Sequence, residues 1–217
     1  MQEFWFAAAL AFAGVPLGLA AEAWAARSIR RKAPVAARSR RRWPAAAAAS
    51  GACGWAGWRY GFGDAEWIAA VLLVFVLVAV TITDLRAMLI PNAIVLPAAG
   101  VAMLFRVLWH PLPLWHYAAG AAVGFGLLYA LSALSKGGIG GGDVKLYLFV
   151  GLVCGLQDTL LSLLLASFAG AAFGVAGLLN GRRTGRRTGP IPFGPFIAGG
   201  AIAAMSNGES WMRLILL

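Results

Sequence analysis

The chain has 217 residues, of which 61% are hydrophobic and only 12% are charged, and its formal net charge is +10. A soluble domain has about 25% charged residues, so one aqueous core could not hide this much apolar surface. The cations stand in short runs between apolar segments, as in loops that face anionic lipid headgroups, which argues against nucleic acid as a partner. The composition therefore predicts a membrane protein.

A spanning helix needs about 20 mostly apolar residues, and by this measure the sequence predicts an all-α polytopic bundle of about eight spans. The first segment follows Glu3 instead of a basic stretch, so we expect a retained helix rather than a signal peptide. The second segment is rich in alanine and glycine, and the sixth and eighth are short. The predicted segments are 4–25, 45–61, 65–83, 90–109, 115–134, 143–156, 159–179 and 191–206.

The positive charge is concentrated in alternate loops. Fifteen of the 18 lysines and arginines fall on one side of the eight-segment arrangement. Cytoplasmic loops carry such an excess, so we expect this side to face the cytoplasm and both termini to lie outside it. At the cytoplasmic boundary only two carboxylates stand apart, Asp84 and Asp143, because Glu22 is expected to pair with a nearby arginine.

Asp84 closes the most apolar segment and begins the stretch DLRAMLIPN at 84–92. Pro91 cannot donate a backbone hydrogen bond and therefore suits the first turn of the next helix, where Asn92 can bond to local backbone. A structural explanation is an aspartate at a helix end that pairs with Arg86. The functional alternative is a reactive carboxyl group at the membrane boundary.

Asp143 follows the glycine-rich stretch KGGIGGG at 136–142. Glycines such as Gly140 and Gly142 remove side-chain bulk, so another backbone can approach closely. We expect Asp143 to act as the N-cap of the helix that follows, and a flexible loop with a helix cap is the structural explanation. A phosphate-binding loop is disfavoured, because an acid follows where the Walker pattern has Gly-Lys-Ser/Thr.

The two aspartates are more informative together than apart, because they are predicted at one membrane face on different helices. Two close carboxyl groups cannot readily both ionise and can share one proton. One can then activate water while the other protonates the scissile carbonyl or the leaving amine. This hydrolysis uses no metal, and the two histidines and two cysteines lack the spacing of a metal site.

A transporter or channel is the alternative function, with Asp84 and Asp143 taking part in cation or proton transfer. Glycine-interrupted helices with intramembrane acids also occur in such proteins. That function predicts acids near the bilayer midplane and an internal repeat, and the sequence contains neither.

The chain resembles the type IV prepilin peptidases, membrane aspartyl proteases of the GxGD type. The resemblance covers about residues 65–205 and rests on TDLRAMLIPN around Asp84, GIGGGDVKL around Asp143 and GPIPFGPFIAGGA at 189–201, in that order. It implies the GxGD aspartyl protease fold, with Asp84 and Asp143 as the catalytic pair. Supporting or substrate-binding roles are expected for Gly140, Gly142, Lys145, Pro91, Asn92, Pro192 and Gly194.

The resemblance also implies a substrate, a prepilin or pseudopilin cut at the cytoplasmic face of the bacterial inner membrane between a basic leader and a hydrophobic helix. Proteolysis of this kind needs no cofactor. Long family members carry two zinc-binding CxxC pairs after the first helix, whereas the basic loop 27–43 has no cysteine. We therefore divide the chain into a two-helix region, 1–64, and a peptidase membrane domain, 65–217. Many members also methylate the new N-terminus with S-adenosylmethionine, and the sequence leaves this second activity open.

Overall fold

The computed structural model describes residues 2–30, 43–61, 64–135, 139–184 and 191–216. Within these ranges the chain forms eight α-helices and no strand, which confirms the predicted all-α class. The arginines and the lysine of 31–42, together with Lys136 and Arg186–Arg187, lie outside the described residues. The helices are α1 Gln2–Ile29, α2 Trp43–Tyr60, α3 Glu66–Ala87, α4 Asn92–Leu108, α5 Leu114–Leu134, α6 Gly141–Cys154, α7 Leu156–Thr184 and α8 Gly194–Leu216.

Four of the described helices, α1, α3, α5 and α7, are long and apolar enough to cross a membrane. The helix α4 and the first part of α8, Gly194–Ser206, are shorter and also apolar. The chain is therefore a membrane helical bundle. Its central helix is α3, because 61% of its most apolar window is buried, compared with 17% to 28% in the other three. A helix that is apolar on all sides belongs inside a bundle, and α3 carries Asp84 in its last turn.

Small residues allow the helices to pack closely. A methyl group on Gly14 of α1 would lie 2.6 Å from the Cα of Ser50 in α2. A methyl group on Gly200 of α8 would lie 2.6 Å from the carbonyl oxygen of Ser162 in α7. Membrane helices commonly associate through such positions, since lipid supplies no hydrophobic force to drive them together.

Two ion pairs join helices that are distant in sequence. Arg86 in the last turn of α3 binds Glu22 of α1, with 2.7 Å between Nη2 and Oε1, so Glu22 has the predicted arginine partner. Arg106 in the last turn of α4 binds both carboxylate oxygens of Glu66 in the first turn of α3. These contacts fix α3 at both of its ends.

Several helix boundaries differ from the predicted segments, because hydropathy marks only the apolar part of a helix. The helix α1 continues to Ile29, and α8 continues to Leu216. The predicted capping role of Asp143 is wrong. Gly140 is the N-cap of α6, with no side-chain hydrogen bond to the helix end, and Asp143 is the third helical residue. The Asp143 carboxyl group lines a cavity.

Candidate active site

The position of Asp84 is set by a sharp turn at the end of α3. The residue after α3 is its C-cap, Met88, which has a left-handed backbone (φ 49°, ψ 44°) and donates its N–H to the Asp84 carbonyl oxygen at 2.8 Å. This conformation is uncommon for a residue other than glycine. It reverses the chain toward Pro91, which lies immediately before α4. Asp84 is therefore held where α3 ends and the chain turns away.

The carboxyl group of Asp84 is bound by the start of another helix. Asp84 is 6% exposed, and its Oδ2 accepts a hydrogen bond from the backbone N–H of Gly194 at 2.6 Å. Gly194 is the first residue of α8, so this amide is one of the donors that a helix leaves unpaired at its positive end. A methyl group on Gly194 would lie 2.8 Å from that Oδ2 and 3.1 Å from the Asp84 Cβ. The site requires glycine here because the backbone itself approaches the carboxylate.

Asp143 is brought to the same place by the glycine-rich stretch. Its N–H donates to the Gly140 carbonyl oxygen at 3.0 Å, and a methyl group on Gly140 would lie 3.2 Å from its Oδ2. A methyl group on Gly142 would lie 2.7 Å from the Ile90 Cβ. The start of α6 therefore packs directly on the segment that follows Asp84. This is the close backbone approach that the glycines predict.

Both carboxyl groups face one cavity of about 420 Å³. Among the described residues of the cavity wall, three side chains are polar, namely those of Asp84, Asp143 and Ser167. The other side chains are apolar, and Gly140 contributes backbone. The apolar wall consists of Met88, Leu128, Leu131, Ile139, Ile191, Pro192 and Phe193.

The structure divides the seven predicted supporting residues into two groups. Gly140 and Pro192 line the cavity, and Gly194 binds Asp84 from behind it. The other four lie around the site without lining the cavity. Lys145 of α6 donates to Asn92 Oδ1 at 3.0 Å, so the N-terminal parts of α4 and α6 are linked by a hydrogen bond. The second group comprises Gly142, Lys145, Pro91 and Asn92.

Sequence reasoning missed several residues of the cavity wall. Ser167 is one of two serines in an apolar segment, and no local pattern distinguishes it from a lipid-facing or core residue. Met88 is equally inconspicuous, because nothing in its side chain predicts a left-handed backbone. Leu128 and Leu131 belong to an apolar run whose inner face only the packing defines. The available signals were Ile139, which lies inside the glycine-rich stretch, and Ile191 and Phe193, which lie inside GPIPFGPFIAGGA.

Two carboxyl groups in one largely apolar cavity are suited to acid–base chemistry. Close like charges resist double ionisation, so the pair can hold one proton between them. Among the described residues, no group of three or more His, Cys, Asp or Glu side chains is placed to hold a metal ion. The arrangement can take a proton from one reacting atom and deliver a proton to another.

Known proteins share the part of the chain that builds this cavity. The model of the type IV leader peptidase family matches residues 70–175, which include both aspartates. The prepilin leader peptidase/N-methyltransferase of Bacillus subtilis (strain 168) is 38% identical over 159 residues, covering 71% of this chain and 61% of the relative.

Two further relatives carry the same name. The protein of Aeromonas salmonicida (strain A449) is 38% identical over 154 residues, covering 69% of this chain and 52% of the relative. That of Pseudomonas aeruginosa is 29% identical over 170 residues, covering 75% and 57%. The chain thus spans between about half and three fifths of the length of these curated relatives. No solved structure matches it.

Proposed function

We propose that this chain, which belongs through residues 70–175 to the type IV leader peptidase family, is an aspartic endopeptidase with Asp84 and Asp143 as its catalytic pair. The observation that carries the proposal is the cavity of about 420 Å³ lined by both carboxyl groups. The aspartates come from different helices. Gly194 binds Asp84, and the contact of Gly142 with Ile90 positions the start of α6, which carries Asp143.

In the proposed reaction the two carboxyl groups share one proton. The ionised member takes a proton from a water molecule, whose oxygen forms a bond to the carbonyl carbon of the scissile peptide. The protonated member gives its proton to the carbonyl oxygen. When the C–N bond breaks, the first member gives the proton it took from water to the leaving amine, and the second member takes a proton back from a hydroxyl group of the tetrahedral diol, which restores the shared proton. The products are a new carboxyl terminus and a new amino terminus, and no covalent enzyme intermediate forms.

The proposed substrate is a prepilin or pseudopilin, cut at the cytoplasmic face of the bacterial inner membrane between its basic leader and its hydrophobic helix. The relatives are named prepilin leader peptidases, which supports this substrate class. The shape of the site supports it too, because an apolar wall around two carboxyl groups suits a peptide bond flanked by apolar residues. The seven supporting residues are proposed to hold this cavity or to contact the substrate beside it.

Transport is the weaker explanation of the two acids. Asp84 lies in the last turn of α3, and Asp143 lies in the first turn of α6. Both therefore stand at helix ends, whereas an ion pathway through the bundle predicts acids midway along the helices. The end position also suits a peptidase whose substrate is cut at the membrane boundary.

The relatives' names also include N-methyltransferase, and this activity would use S-adenosylmethionine. A second cavity, of about 360 Å³, lies between α2, α3 and α8, and among the described residues that line it Thr81 has the only polar side chain. Such a wall does not match the charged and hydrogen-bonding groups of that cofactor. The described residues of this cavity therefore do not form a site for S-adenosylmethionine.

The direct test is cleavage of a prepilin from the same genome, reconstituted in liposomes with wild type, Asp84→Asn or Asp143→Asn. We expect wild type to release the leader, and each folded variant to lose about 10²- to 10⁴-fold in rate, the usual contribution of a general acid or base. Cleavage that survives either substitution would show that Asp84 and Asp143 are not the catalytic pair. Adding labelled S-adenosylmethionine to the cleaved product measures methylation in the same assay.

A further inference from the structure

The helices α5 and α7 are closely packed at the end away from the aspartates. A methyl group on Gly120 of α5 would lie 2.8 Å from the backbone nitrogen of Leu156, the first residue of α7. A methyl group on Gly124 would lie 2.9 Å from the Thr159 Cγ2. At this level there is no room between the two helices for another chain.

Two turns further along each helix the arrangement is different. Leu131 follows Gly124 by two turns of α5, and Ser167 follows Thr159 by about two turns of α7. Both Leu131 and Ser167 line the aspartate cavity, so the cavity lies between α5 and α7 at this level. Both are also exposed, Leu131 by 53%, whereas Leu128, which lines the same cavity, is only 2% exposed. The cavity therefore has an opening between these two helices.

The surface around this opening is apolar. Exposed side chains on the same helices are Leu127 (46%) and Leu134 (80%) of α5, and Leu164 (42%) and Phe168 (68%) of α7. Both helices are long and apolar enough to span a membrane, so these side chains face hydrocarbon rather than water. An opening in such a surface communicates with the lipid layer, which is where the apolar helix of a membrane-anchored substrate resides.

We propose that the apolar segment of the substrate enters the aspartate cavity sideways from the lipid, through the opening bounded by Leu131 and Ser167. This inference rests on the proposed function and adds the route and the contact surface. The substrate helix stays in hydrocarbon as it approaches, so it need not be desolvated into water first. Only the peptide next to it must become extended to reach the two carboxyl groups.

The test places a reversible bridge across the opening. The double variant Leu131→Cys/Ser167→Cys is joined by a bifunctional thiol reagent with a reducible spacer, in liposomes. The native thiols, Cys53 and Cys154, are both buried, so wild type treated with the same reagent is the control. The double variant is compared with itself before bridging, after bridging and after reduction. Two substrates are used: the full-length prepilin in the bilayer, and a water-soluble peptide of its cleavage junction without the apolar helix.

We expect bridging to abolish cleavage of the full-length prepilin, reduction to restore it, and cleavage of the soluble peptide to continue throughout. Undiminished cleavage of the prepilin by the bridged protein would overturn the proposal, and so would loss of both activities, because the bridge would then block the cavity itself. If neither substrate is cleaved by wild type, the proposed function fails instead.

Should the double variant not fold, Leu131→Trp narrows the opening without a second change. We expect it to slow cleavage of the bilayer-embedded prepilin more than that of the soluble peptide. Tyr129→Trp is the matched control, because Tyr129 is 62% exposed on the same helix, lies two residues from Leu131 and so on another face, and does not line the cavity. Equal slowing of both substrates by Leu131→Trp, or equal effects of the two tryptophan variants, would overturn the proposal.

Discussion

The helices α3 and α6 take part in charged sites at both of their ends, and the two sites differ in kind. At the aspartate end, Asp84 and Asp143 bring like charges to one open cavity. At the opposite end, Arg106 binds both oxygens of Glu66, donates to the carbonyl oxygen of Val153 in α6, and lies over the Tyr117 ring at 4.3 Å. Arg106 is only 3% exposed.

The ion pair of Arg106 and Glu66 stabilises the bundle, whereas the packing of the bundle must hold Asp84 and Asp143 together against their repulsion. Opposite charges that are buried and hydrogen-bonded satisfy each other, and here they join α3, α4 and α6. Like charges in a partly apolar cavity repel, so folding alone gives no reason to bring them together. Ionisable groups placed at such a cost inside a membrane protein are functional candidates.

The largest effect on activity without loss of stability is expected from Asp84→Asn and Asp143→Asn. Each variant should lose cleavage as described above, yet its thermal unfolding temperature in detergent should equal or exceed that of wild type, because repulsion is relieved. At position 84 the amide oxygen can still accept the Gly194 N–H. A fall of several degrees in both variants would mean that the aspartates stabilise the fold, and the contrast between the two ends would disappear.

Arg106→Met should have the opposite effect. Removing the guanidinium leaves Glu66 largely buried without its partner, at a cost of about 3–5 kcal/mol in unfolding free energy. The double variant Glu66→Leu/Arg106→Met should recover much of this loss, because no uncompensated charge remains. Thermal unfolding in detergent measures the stability of the single variant and of the double variant. An Arg106→Met protein as stable as wild type would contradict the stabilising role of this pair.

Gly194→Ala should impair activity by displacing the Asp84 carboxyl group, which the added methyl would approach to 2.8 Å. A displacement of about 1 Å can cost roughly 10²-fold in rate. Gly199→Ala is the matched control on the same helix, because nothing lies within 4 Å of its added methyl group. Prepilin cleavage rates compare the two, and equal rates would show that the Gly194 contact does not position Asp84.

Lys145→Met should have the smallest effect. The Lys145–Asn92 hydrogen bond is exposed, and such a bond contributes only about 0.5–1.5 kcal/mol. We expect cleavage to change by less than about tenfold, with kcat and KM measured separately. A much larger rise in KM with unchanged kcat would instead assign Lys145 to direct contact with the substrate.

Much of the fold could be predicted because lipid imposes simple rules on the sequence. Apolar length gave the eight helices, and the glycine-rich stretch indicated where another backbone comes close. The same signals failed at helix ends, where Asp143 proved to be an ordinary first-turn residue of α6 and Gly140 its N-cap. Which residue caps a helix depends on where the helix begins, and tertiary packing rather than the local sequence decides that.

The sequence by itself determined the membrane setting, the helix order and the two aspartates as the residues of interest, because each depends on composition or on residues adjacent in the chain. Only the tertiary structure decided that Gly194 binds Asp84, that Arg106 binds Glu66, and that Leu131 and Ser167 flank the opening. These relations join residues 36 or more positions apart, and helix packing sets them, so no local pattern records them.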